Sequence, residues 1–319
     1  MAKIGIILAT YNGEKYLTQM LDSLVAQTRT ADFIVAVDDG SKDSTPEILK
    51  SYQDRLPLQV TCLPQNTGHR AAFSKALELA QPQLTDNDLI ALADQDDIWL
   101  PQKLELLEKN IESEYSNGTK PSLVFGDAQV IDAEGKVIAE SWRKISGISP
   151  SLATEARIAG TNNITGCLSL FRASLLKKVL PIPTAVGVHD AWIGLLAAQY
   201  GNIVPLEQPI VLYRLHGENS VGLGTPFSFD ETCKRQIAWT DMLLQKSELL
   251  SLTPAQANFL RKLNRYWHQR AKVPLLLTSL PFLIRFRTQV FPTPKRRLKK
   301  ILFSLLGAPA VHLLFGKNK

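Results

Sequence analysis

The segment Ala91–Pro101 constrains the fold most strongly, because a short apolar run ends there in closely spaced acids. The carboxylates of Asp94, Asp96 and Asp97 would repel one another in a core, where charge is expensive to bury. They suit the end of a β-strand that holds a divalent cation, since Mg²⁺ and Mn²⁺ take oxygen ligands and leave positions for substrate phosphates. Residues 94–97, with Gln95 among them, therefore predict a metal–diphosphate site. A solvated acidic turn before a helix near Pro101 is the alternative.

Strands and helices alternate through the first hundred residues. The predicted strands are Ile4–Ala9, Phe33–Val37, Leu58–Leu63 and Asp88–Ala93, and the predicted helices include Glu14–Gln27 and His69–Ala80. This βαβαβαβ order predicts an α/β domain with a parallel sheet covered by helices on both faces. Ligands bind such sheets beyond the carboxyl ends of the strands. We therefore expect the polar clusters Thr10–Gly13, Asp38–Ser41 and Asp94–Asp97, which follow three strands, to share one crevice.

The pattern changes after residue 120. Ser122–Gly126 and Gln129–Asp132 predict a β-ribbon insertion, and Asn163–Phe171 predicts a strand interrupted by glycine. A helix ending near Tyr200 and a strand over Ile203–Arg214 follow. From about residue 227 the sequence predicts helices, which include Asp230–Leu250 and Pro254–Lys272.

Charge is distributed unevenly along the chain. The net charge is +6, yet no Asp or Glu follows Glu248, while that last part contains 14 Lys and Arg residues. Residues 1–248 therefore carry a net charge of −8. An acidic body with a basic tail predicts an anionic partner for the tail, either membrane or nucleic acid. Three widely spaced cysteines predict a reducing compartment without disulfides. A strand-like run begins at Lys3, where a signal segment would lie, so we do not expect export.

Two apolar runs in the tail, Val273–Ile284 and Ile301–Phe315, are shorter than the roughly 20 residues that a spanning helix needs. Beside the basic cluster Lys295–Lys300 they fit helices lying on anionic lipid. A dimerisation surface, or a lid on the catalytic domain, would explain the same pattern. Nucleic acid is not expected as the partner, because it would not use the tail's hydrophobicity.

Several motifs resemble the family 2 glycosyltransferases of the GT-A fold, most closely their bacterial rhamnosyltransferase-like branch. The similarity covers about residues 3–222 and rests on the motifs at Ile7–Leu17, Val37–Thr45, Asn66–Gly68, Asp94–Pro101, His189–Trp192 and Tyr213–Asn219. It implies a nucleotide-sugar-binding GT-A domain over 1–225, with a nucleotide-binding half (1–100) and an acceptor-binding half (101–225). Residues 226–319 would form a helical, basic, membrane-associating tail.

The resemblance implies an inverting transfer of sugar from a nucleoside-diphosphate donor to a hydroxyl, aided by Mn²⁺ or Mg²⁺. Asp96 and His216 would bind the metal, although a lone histidine is often structural. Asp94 would contact the ribose or the sugar. Asp97 would support the site or cap the following helix.

The nucleotide-binding residues implied by the resemblance come from several motifs. A carboxylate of Asp38 or Asp39 would accept a pyrimidine N3–H, which discriminates against bases without that donor. The full set is Thr10, Tyr11, Asn12, Glu14, Asp38, Asp39, Gly68, Arg70, Asp94 and Gly166. Asp38–Ser41 could instead be a simple turn between strand and helix. Arg70 could equally lie on a solvated helix start.

Asp190 is the general base that the resemblance implies, since inversion needs a carboxylate opposite the leaving group. Its alternative is a helix N-cap, a common use of aspartate. His189 and Trp192 would contact the acceptor, whereas a core position is the alternative for Trp192.

The expected activity is a hexosyltransferase, with dTDP-rhamnose as one donor and a lipid-linked or surface-polysaccharide glycan, such as O-antigen, as acceptor. A UDP-hexose or UDP-N-acetylhexosamine transferase of the same fold is the alternative, and a non-catalytic membrane scaffold a weaker one. The expected location is cytoplasmic, peripheral on the inner face of the cell membrane.

Overall fold

The computed structural model describes residues 2–113, 120–147, 149–217, 228–293 and 297–315. The strands in these ranges are β1 Ile4–Thr10, β2 Phe33–Asp38, β3 Leu58–Cys62, β4 Leu89–Asp94, β5 Ile98–Trp99, β6 Leu123–Ile131, β7 Val137–Ala139, β8 Ser169–Arg172 and β9 Ile203–Arg214. The helices are α1 Glu14–Val25, α2 Thr45–Ser51, α3 His69–Ala80, α4 Lys103–Glu112, α5 Trp142–Ser146, α6 Thr154–Ile158, α7 Leu176–Val179, α8 His189–Tyr200, α9 Phe229–Gln245, α10 Ser247–Leu250, α11 Pro254–Arg270, α12 Leu280–Arg285, α13 Arg287–Val290, α14 Arg297–Ser304 and α15 Ala308–Phe315.

One mixed sheet organises the first two thirds of the chain. Its strand order is β3-β2-β1-β4-β8-β6-β9-β5, and β7 pairs with β6. The pairs among β1–β4 and the pair β6–β9 are parallel, whereas β5, β7 and β8 run antiparallel to their neighbours. The predicted α/β class with a mostly parallel sheet flanked by helices is therefore confirmed.

The register of the parallel strands brings the polar clusters to one edge. Thr10 pairs with Asp38 across β1 and β2, and Ala9 pairs with Asp94 across β1 and β4. Because neighbouring strands lie about 4.8 Å apart, the three predicted clusters emerge side by side at the carboxyl ends.

Helix α1 packs through its predicted apolar stripe. Leu17, Met20, Leu21 and Leu24 are buried in the same apolar cluster as Ile4, Ile6 and Leu8 of β1. Burial of such a stripe, rather than helix propensity, supplies most of a helix's stability in a protein.

The predicted β-ribbon is confirmed only in part: β6 and β7 pair antiparallel around a turn at residues 132–136, but the two short strands predicted before that turn are one strand. Residues 123–131 form one nine-residue strand, β6, in the interior of the sheet between β8 and β9. The alternation breaks at Gly126, where the β6–β9 register shifts and a Cβ would lie 2.6 Å from the Ile210 side chain. The predicted strand over 163–171 shortens to β8, because Gly166–Leu168 form a 3-10 turn.

The chain divides into two compact units. The first comprises residues 1–146, 164–182 and 188–220, and contains the whole sheet. The second comprises 147–163, 183–187 and 221–319, and is helical in its described part. The tail thus shares its unit with two short segments that the sequence suggested belong to the catalytic domain.

In the second unit α9 and α11 supply several large buried side chains, with Trp239 and Leu243 from α9 and Phe259, Leu263 and Trp267 from α11. Among the described residues no helix is long and apolar enough to cross a membrane. Glu218, Asn219, Lys295 and Arg296, which belong to motifs named above, lie outside the described residues.

Gly5 tests the packing of β1 on β2. A Cβ at this position would lie 2.3 Å from Cζ of Phe33, so Gly5→Ala is expected to lower the free energy of unfolding by about 1–3 kcal/mol. Phe33→Leu should recover part of this loss in the double variant, measured by urea denaturation. Gly187→Ala, whose Cβ would meet an atom only at 3.9 Å, is the control. Equal effects of the two glycine substitutions would contradict this packing.

Candidate active site

The carboxylate of Asp38 ties the ends of β1 and β2 together. It is 1% exposed and accepts hydrogen bonds from Thr10 Oγ1 (2.9 Å), Ser41 N (2.9 Å) and Ser41 Oγ (2.5 Å). Asp39, 2% exposed, accepts from Thr67 N, Thr67 Oγ1 and Gly68 N at 2.7–2.8 Å. An ionised carboxylate offers about four acceptor positions, so each retains capacity for one further donor.

Gly68 is needed at the turn that Asp39 holds. Its φ is +89°, a backbone conformation that residues with a Cβ rarely adopt. The turn leads directly into α3, so Asp39 fixes the position of the first helical turn, which includes Arg70. The Arg70 side chain is half-buried and makes no hydrogen bond or ion pair with the described part of the chain.

The loop after β1 is fastened to the loop after β2. Asn12 N donates to Ser41 Oγ, Lys42 N donates to Asn12 Oδ1, and Gly13 N donates to Thr45 Oγ1, at 2.7–2.9 Å. Oε2 of the exposed Glu14 accepts from Ser44 N and Oγ. Asn12 and Glu14 therefore shape the predicted nucleotide pocket, while direct nucleotide contact by either remains a prediction.

Gln95 joins the acidic segment to the same loop. Tyr11 N donates to Gln95 Oε1 at 2.7 Å, and Gln95 Nε2 donates to Tyr11 O at 3.0 Å. This paired contact leaves the Tyr11 ring 42% exposed. The ring is therefore available to stack on a planar ligand at the edge of the sheet.

The two residues predicted to bind the metal lie together. His216 Nε2 is 2.9 Å from Asp96 Oδ2, although the residues are 120 positions apart. Both side chains are largely buried, at 10% and 15% exposure. The His216 ring also packs 4.9 Å from the Tyr16 ring of α1.

Arg214 organises this part of the site and was not predicted. Its side chain is 1% exposed, with Nε donating to Asp96 O and one Nη donating to Gln19 Oε1, while its backbone N donates to Asp97 Oδ1. The other Nη donates to the carbonyls of Asp132 and Ala133. An arginine at the end of an otherwise apolar strand was the signal that could have identified it.

A second cluster in the same segment joins the half-buried Asp94 to the buried residues Asp97, Cys167 and Lys103. One ligand atom from each of Asp94, Asp97 and Cys167 falls within 4.8 Å of the other two. Lys103 is fully buried, donates to Cys167 O at 2.5 Å and lies 3.0 Å from the Trp99 ring centroid. Its place in the sequence gave no signal of this role.

Burial dominates the protonation of the cluster. It raises the pKa of Asp94 to about 6, assisted by the charge of Asp96, and raises the pKa of Asp97 well above its usual range. Burial also lowers the pKa of Lys103 to about 7 and raises that of the Cys167 thiol. A cation nearby would favour the ionised carboxylates, because opposite charge offsets desolvation.

The donor chemistry favours Asp96 and His216 over the second cluster as cation ligands. Carboxylate oxygen and imidazole nitrogen suit Mn²⁺, whereas the protonated thiol of Cys167 is a poor ligand for a hard cation. Asp97 already accepts from the backbone N–H of Arg214, and its buried Oδ2 has no hydrogen-bond partner among the residues that the structure describes. The residues present thus fit a divalent cation held by Asp96 and His216, with Asp94 beside it.

Asp190 lies in the first turn of α8 and faces the Gly166 turn. Its Oδ2 accepts from Gly166 N at 3.1 Å. Gly166 directly precedes Cys167, whose thiol lies near Asp94 and Asp97. Two adjacent residues therefore contact Asp190 on one side and the acidic cluster on the other. The N-cap alternative does not describe Asp190, because α8 begins at His189 and Val188 precedes it.

The structure corrects the predictions for His189 and Trp192. Trp192 is 0% exposed and donates from Nε1 to Val179 O, so it is a core residue rather than an acceptor platform. His189 is 6% exposed and stacks on Phe73 at 3.9 Å. Burial lowers the pKa of His189 to about 3, so it is neutral at physiological pH. Both face inward because α8 is apolar around most of its circumference.

The raised pKa of Asp94 predicts a pH-dependent stability of the metal-free protein. A carboxyl with a pKa of about 6 in the native state and 3.8 in the unfolded state binds more protons when folded, so stability falls as pH rises through 4–6. Asp94→Asn should therefore unfold at higher urea concentration than wild type at pH 7.5, by roughly 1–2 kcal/mol, and the advantage should shrink towards pH 4. A constant difference across this range would contradict the burial of the charge.

Known proteins resemble this chain in sequence and in fold. An uncharacterized glycosyltransferase of Nostoc sp. is 30% identical over 226 residues, which is 68% of this chain and 66% of the relative. The chain thus spans about two thirds of that relative's length. The fragment 1–349 of Staphylococcus aureus TarS, in complex with UDP-GlcNAc, shares the fold with a TM-score of 0.61 at 21% identity, covering 92% of this chain and 82% of the fragment.

A second solved structure shows the same fold. The mannosyltransferase PcManGT from Pyrobaculum calidifontis, in complex with GDP-Man and Mn²⁺, has a TM-score of 0.51 at 16% identity, covering 98% of this chain and 87% of that one. The family model Glycosyl transferase family 2 matches residues 5–180, which is more than half of the chain. The GT-A fold expected from the motifs is therefore confirmed, and this chain belongs to glycosyl transferase family 2.

Proposed function

We propose that this protein is a metal-dependent, inverting glycosyltransferase that moves a sugar from a nucleoside diphosphate to an acceptor hydroxyl. The observation that carries the proposal is the 2.9 Å pair of Asp96 and His216. The two residues are far apart in the sequence, one after β4 and one after β9, yet their side chains meet in the folded protein. The nucleotide sugars and Mn²⁺ in the solved structures of TarS and PcManGT support it.

The acidic cluster supports a role in leaving-group stabilisation. When bound by Asp96 and His216, Mn²⁺ or Mg²⁺ would supply the positive charge that offsets the charge developing on the leaving diphosphate. Asp94 would orient the donor sugar or ribose. Arg70 is a half-buried cation with no ion pair among the described residues, and its place after Gly68 suits a diphosphate oxygen.

Asp190 would act as the general base. The acceptor oxygen attacks the anomeric carbon, the bond from that carbon to the diphosphate oxygen breaks with its electron pair, and the acceptor proton passes to Asp190. The hydrogen bond from Gly166 N to Oδ2 orients the carboxylate. Attack from the face opposite the leaving group inverts the anomeric configuration.

The donor's base would lie at the ends of β1 and β2. Asp38 and Asp39 each keep one acceptor position, Thr10 fixes Asp38, and the exposed Tyr11 ring provides a stacking face. Uracil and thymine both offer the N3–H that such a pocket selects. We infer a UDP or dTDP donor, with dTDP-rhamnose and UDP-hexoses or UDP-N-acetylhexosamines as the candidates.

The acceptor would be a lipid-linked or surface-polysaccharide glycan. The basic tail would hold the enzyme at the inner face of the cell membrane, where lipid carriers of growing glycans are exposed to the cytoplasm. This part of the proposal rests on the charge distribution of the chain, with no acid after Glu248.

Substitutions at Asp96 and Asp190 should separate binding from transfer. Asp96→Ala should abolish Mn²⁺-dependent binding of UDP or dTDP, measured by calorimetry, because a metal ligand is lost. Asp190→Asn should keep that binding, since an amide oxygen can still accept from Gly166 N, and should slow donor turnover by roughly 10²–10⁴-fold. Turnover is measured as nucleotide released from the donor.

Asp86→Asn is the matched control for both variants, because it removes an acid that is 63% exposed and pairs with Lys177. It should retain wild-type binding and turnover. Turnover of Asp190→Asn at the wild-type rate would contradict the assignment of Asp190 as the general base. Wild-type turnover that is unchanged by EDTA would contradict the proposed dependence on a metal ion.

A panel of nucleotide sugars should identify the donor base. With Mn²⁺ present, a donor at 100 times its dissociation constant should stabilise the native state by about 2.7 kcal/mol, measured as a rise in melting temperature. UDP or dTDP sugars should raise it, and Asp39→Ala should reduce the rise. A larger rise with a purine nucleotide sugar than with any pyrimidine one would contradict the proposed base pocket.

A further inference from the structure

The tail exposes most of the chain's solvent-facing large hydrophobic side chains. In the part of the chain that the structure describes, 13 such residues are exposed, and eight of them lie between residues 273 and 314. Scattered single hydrophobics are normal at a protein surface, whereas a concentration of them indicates an interaction site. We define the tail face as Val273, Leu275, Leu277, Ile284, Leu298, Leu302, Leu313 and Leu314.

The connection between α11 and α12 supplies the first part of the tail face. Val273, Leu275 and Leu277 are 40%, 50% and 60% exposed, whereas Leu276 is 2% exposed. Pro274 is exposed as well, and Leu277 begins a 3-10 turn that ends at Ser279. Three large apolar side chains within five residues are therefore open to solvent, while Leu276 anchors the segment in the core.

Helix α14 supplies the second part. Leu298 and Leu302 are one helical turn apart and are 70% and 57% exposed, while Ile301, on a neighbouring side of the helix, is buried at 6%. Residues four positions apart share a helix face. Lys299 and Lys300 are also exposed, and they continue the exposed surface of α14 from the side next to the two leucines to the far side.

Backbone pairing brings these two parts together. Leu276 N donates to Leu305 O at 2.8 Å, Gly307 N donates to Pro274 O at 3.0 Å, and Leu275 pairs with Leu306. Leu302 lies one helical turn before Leu305, so it is close to the exposed side chains of 273–277. The tail face is therefore held by tertiary structure, with Tyr266 Oη donating to Ser304 O as a further anchor from α11.

We propose that the tail face binds the surface of an anionic lipid bilayer. Leu298, Leu302 and the exposed apolar residues of 273–277 would enter the interface, and the neighbouring lysines and arginines would contact lipid phosphates. The charge supports this occupant, because residues 249–319 contain 14 basic and no acidic residues. The tail would lie on the membrane rather than span it, since no described helix is long and apolar enough to cross.

A second copy of the chain is a poorer partner for this face. In a two-fold dimer the same patch meets itself, so the basic side chains of residues 249–319 would meet their own copies, and this part of the chain contributes no acid to offset the repulsion. A bilayer containing phosphatidylglycerol supplies both the apolar layer and the negative charge. This inference concerns a surface outside the catalytic residues and does not depend on the proposed transfer reaction.

Vesicle binding by the full-length protein tests the inference. Wild type should co-sediment with vesicles of phosphatidylcholine containing 30% phosphatidylglycerol, and far less with phosphatidylcholine alone. Leu298→Gln with Leu302→Gln should lower the partition coefficient at least tenfold, without unfolding, because both side chains are exposed and glutamine is a good helix former. Lys299→Gln with Lys300→Gln should lower it roughly 30-fold at low salt.

Ile138→Gln and Lys50→Gln are the matched controls, because both residues are exposed on the first unit. They should bind vesicles as wild type does, and the leucine variant should release nucleotide from a donor in detergent-free solution at the wild-type rate. Absence of wild-type binding to anionic vesicles, or equal binding of all variants, would overturn the inference. So would sedimentation velocity showing a wild-type dimer that the leucine variant dissociates.

Discussion

The catalytic unit depends on keeping several carboxylates together at one edge of a sheet. Asp38, Asp39, Asp94, Asp96 and Asp97 all follow parallel strands, and the strand register places their backbones within a few neighbouring strand spacings. Such a concentration of like charge opposes folding unless each carboxylate has a partner. The described side chains show how the protein meets this requirement, mainly with backbone N–H groups and two buried cations.

The carboxylates fall into two classes by what stabilises them. Asp38 and Asp39 accept hydrogen bonds from the loops that follow β2 and β3, so their charge holds the predicted nucleotide pocket in shape. Asp94 and Asp97 are buried beside Lys103, and their raised pKa values show that burial outweighs the attraction of that single lysine. Asp38 and Asp39 thus stabilise the loops around them. The negative charges of Asp94 and Asp97 are only partly offset by the protein, and a nearby divalent cation would stabilise their ionised forms.

Arg214 contacts the acidic segment 94–97 through both its backbone and its guanidinium group. Its backbone binds the Asp97 carboxylate, its guanidinium binds the Asp96 carbonyl, and the same group reaches α1 and the turn after β6. A buried guanidinium is stable only when its donors are paired. The position of β9 is thereby fixed relative to β4, which brings His216 to Asp96.

The sequence by itself determined the α/β class and the convergence of three polar clusters, since these follow from strand order and motif spacing. The resemblance of its motifs to family 2 glycosyltransferases implied that Asp96 and His216 share a cation. The sequence also determined the basic, amphipathic tail through composition alone. Only the tertiary structure decided that Trp192 and His189 are buried, that β6 is a central strand and that Arg214 and Lys103 support the acids. These outcomes depend on which side of an element faces the core, and on contacts between residues up to 195 positions apart, which local patterns do not encode.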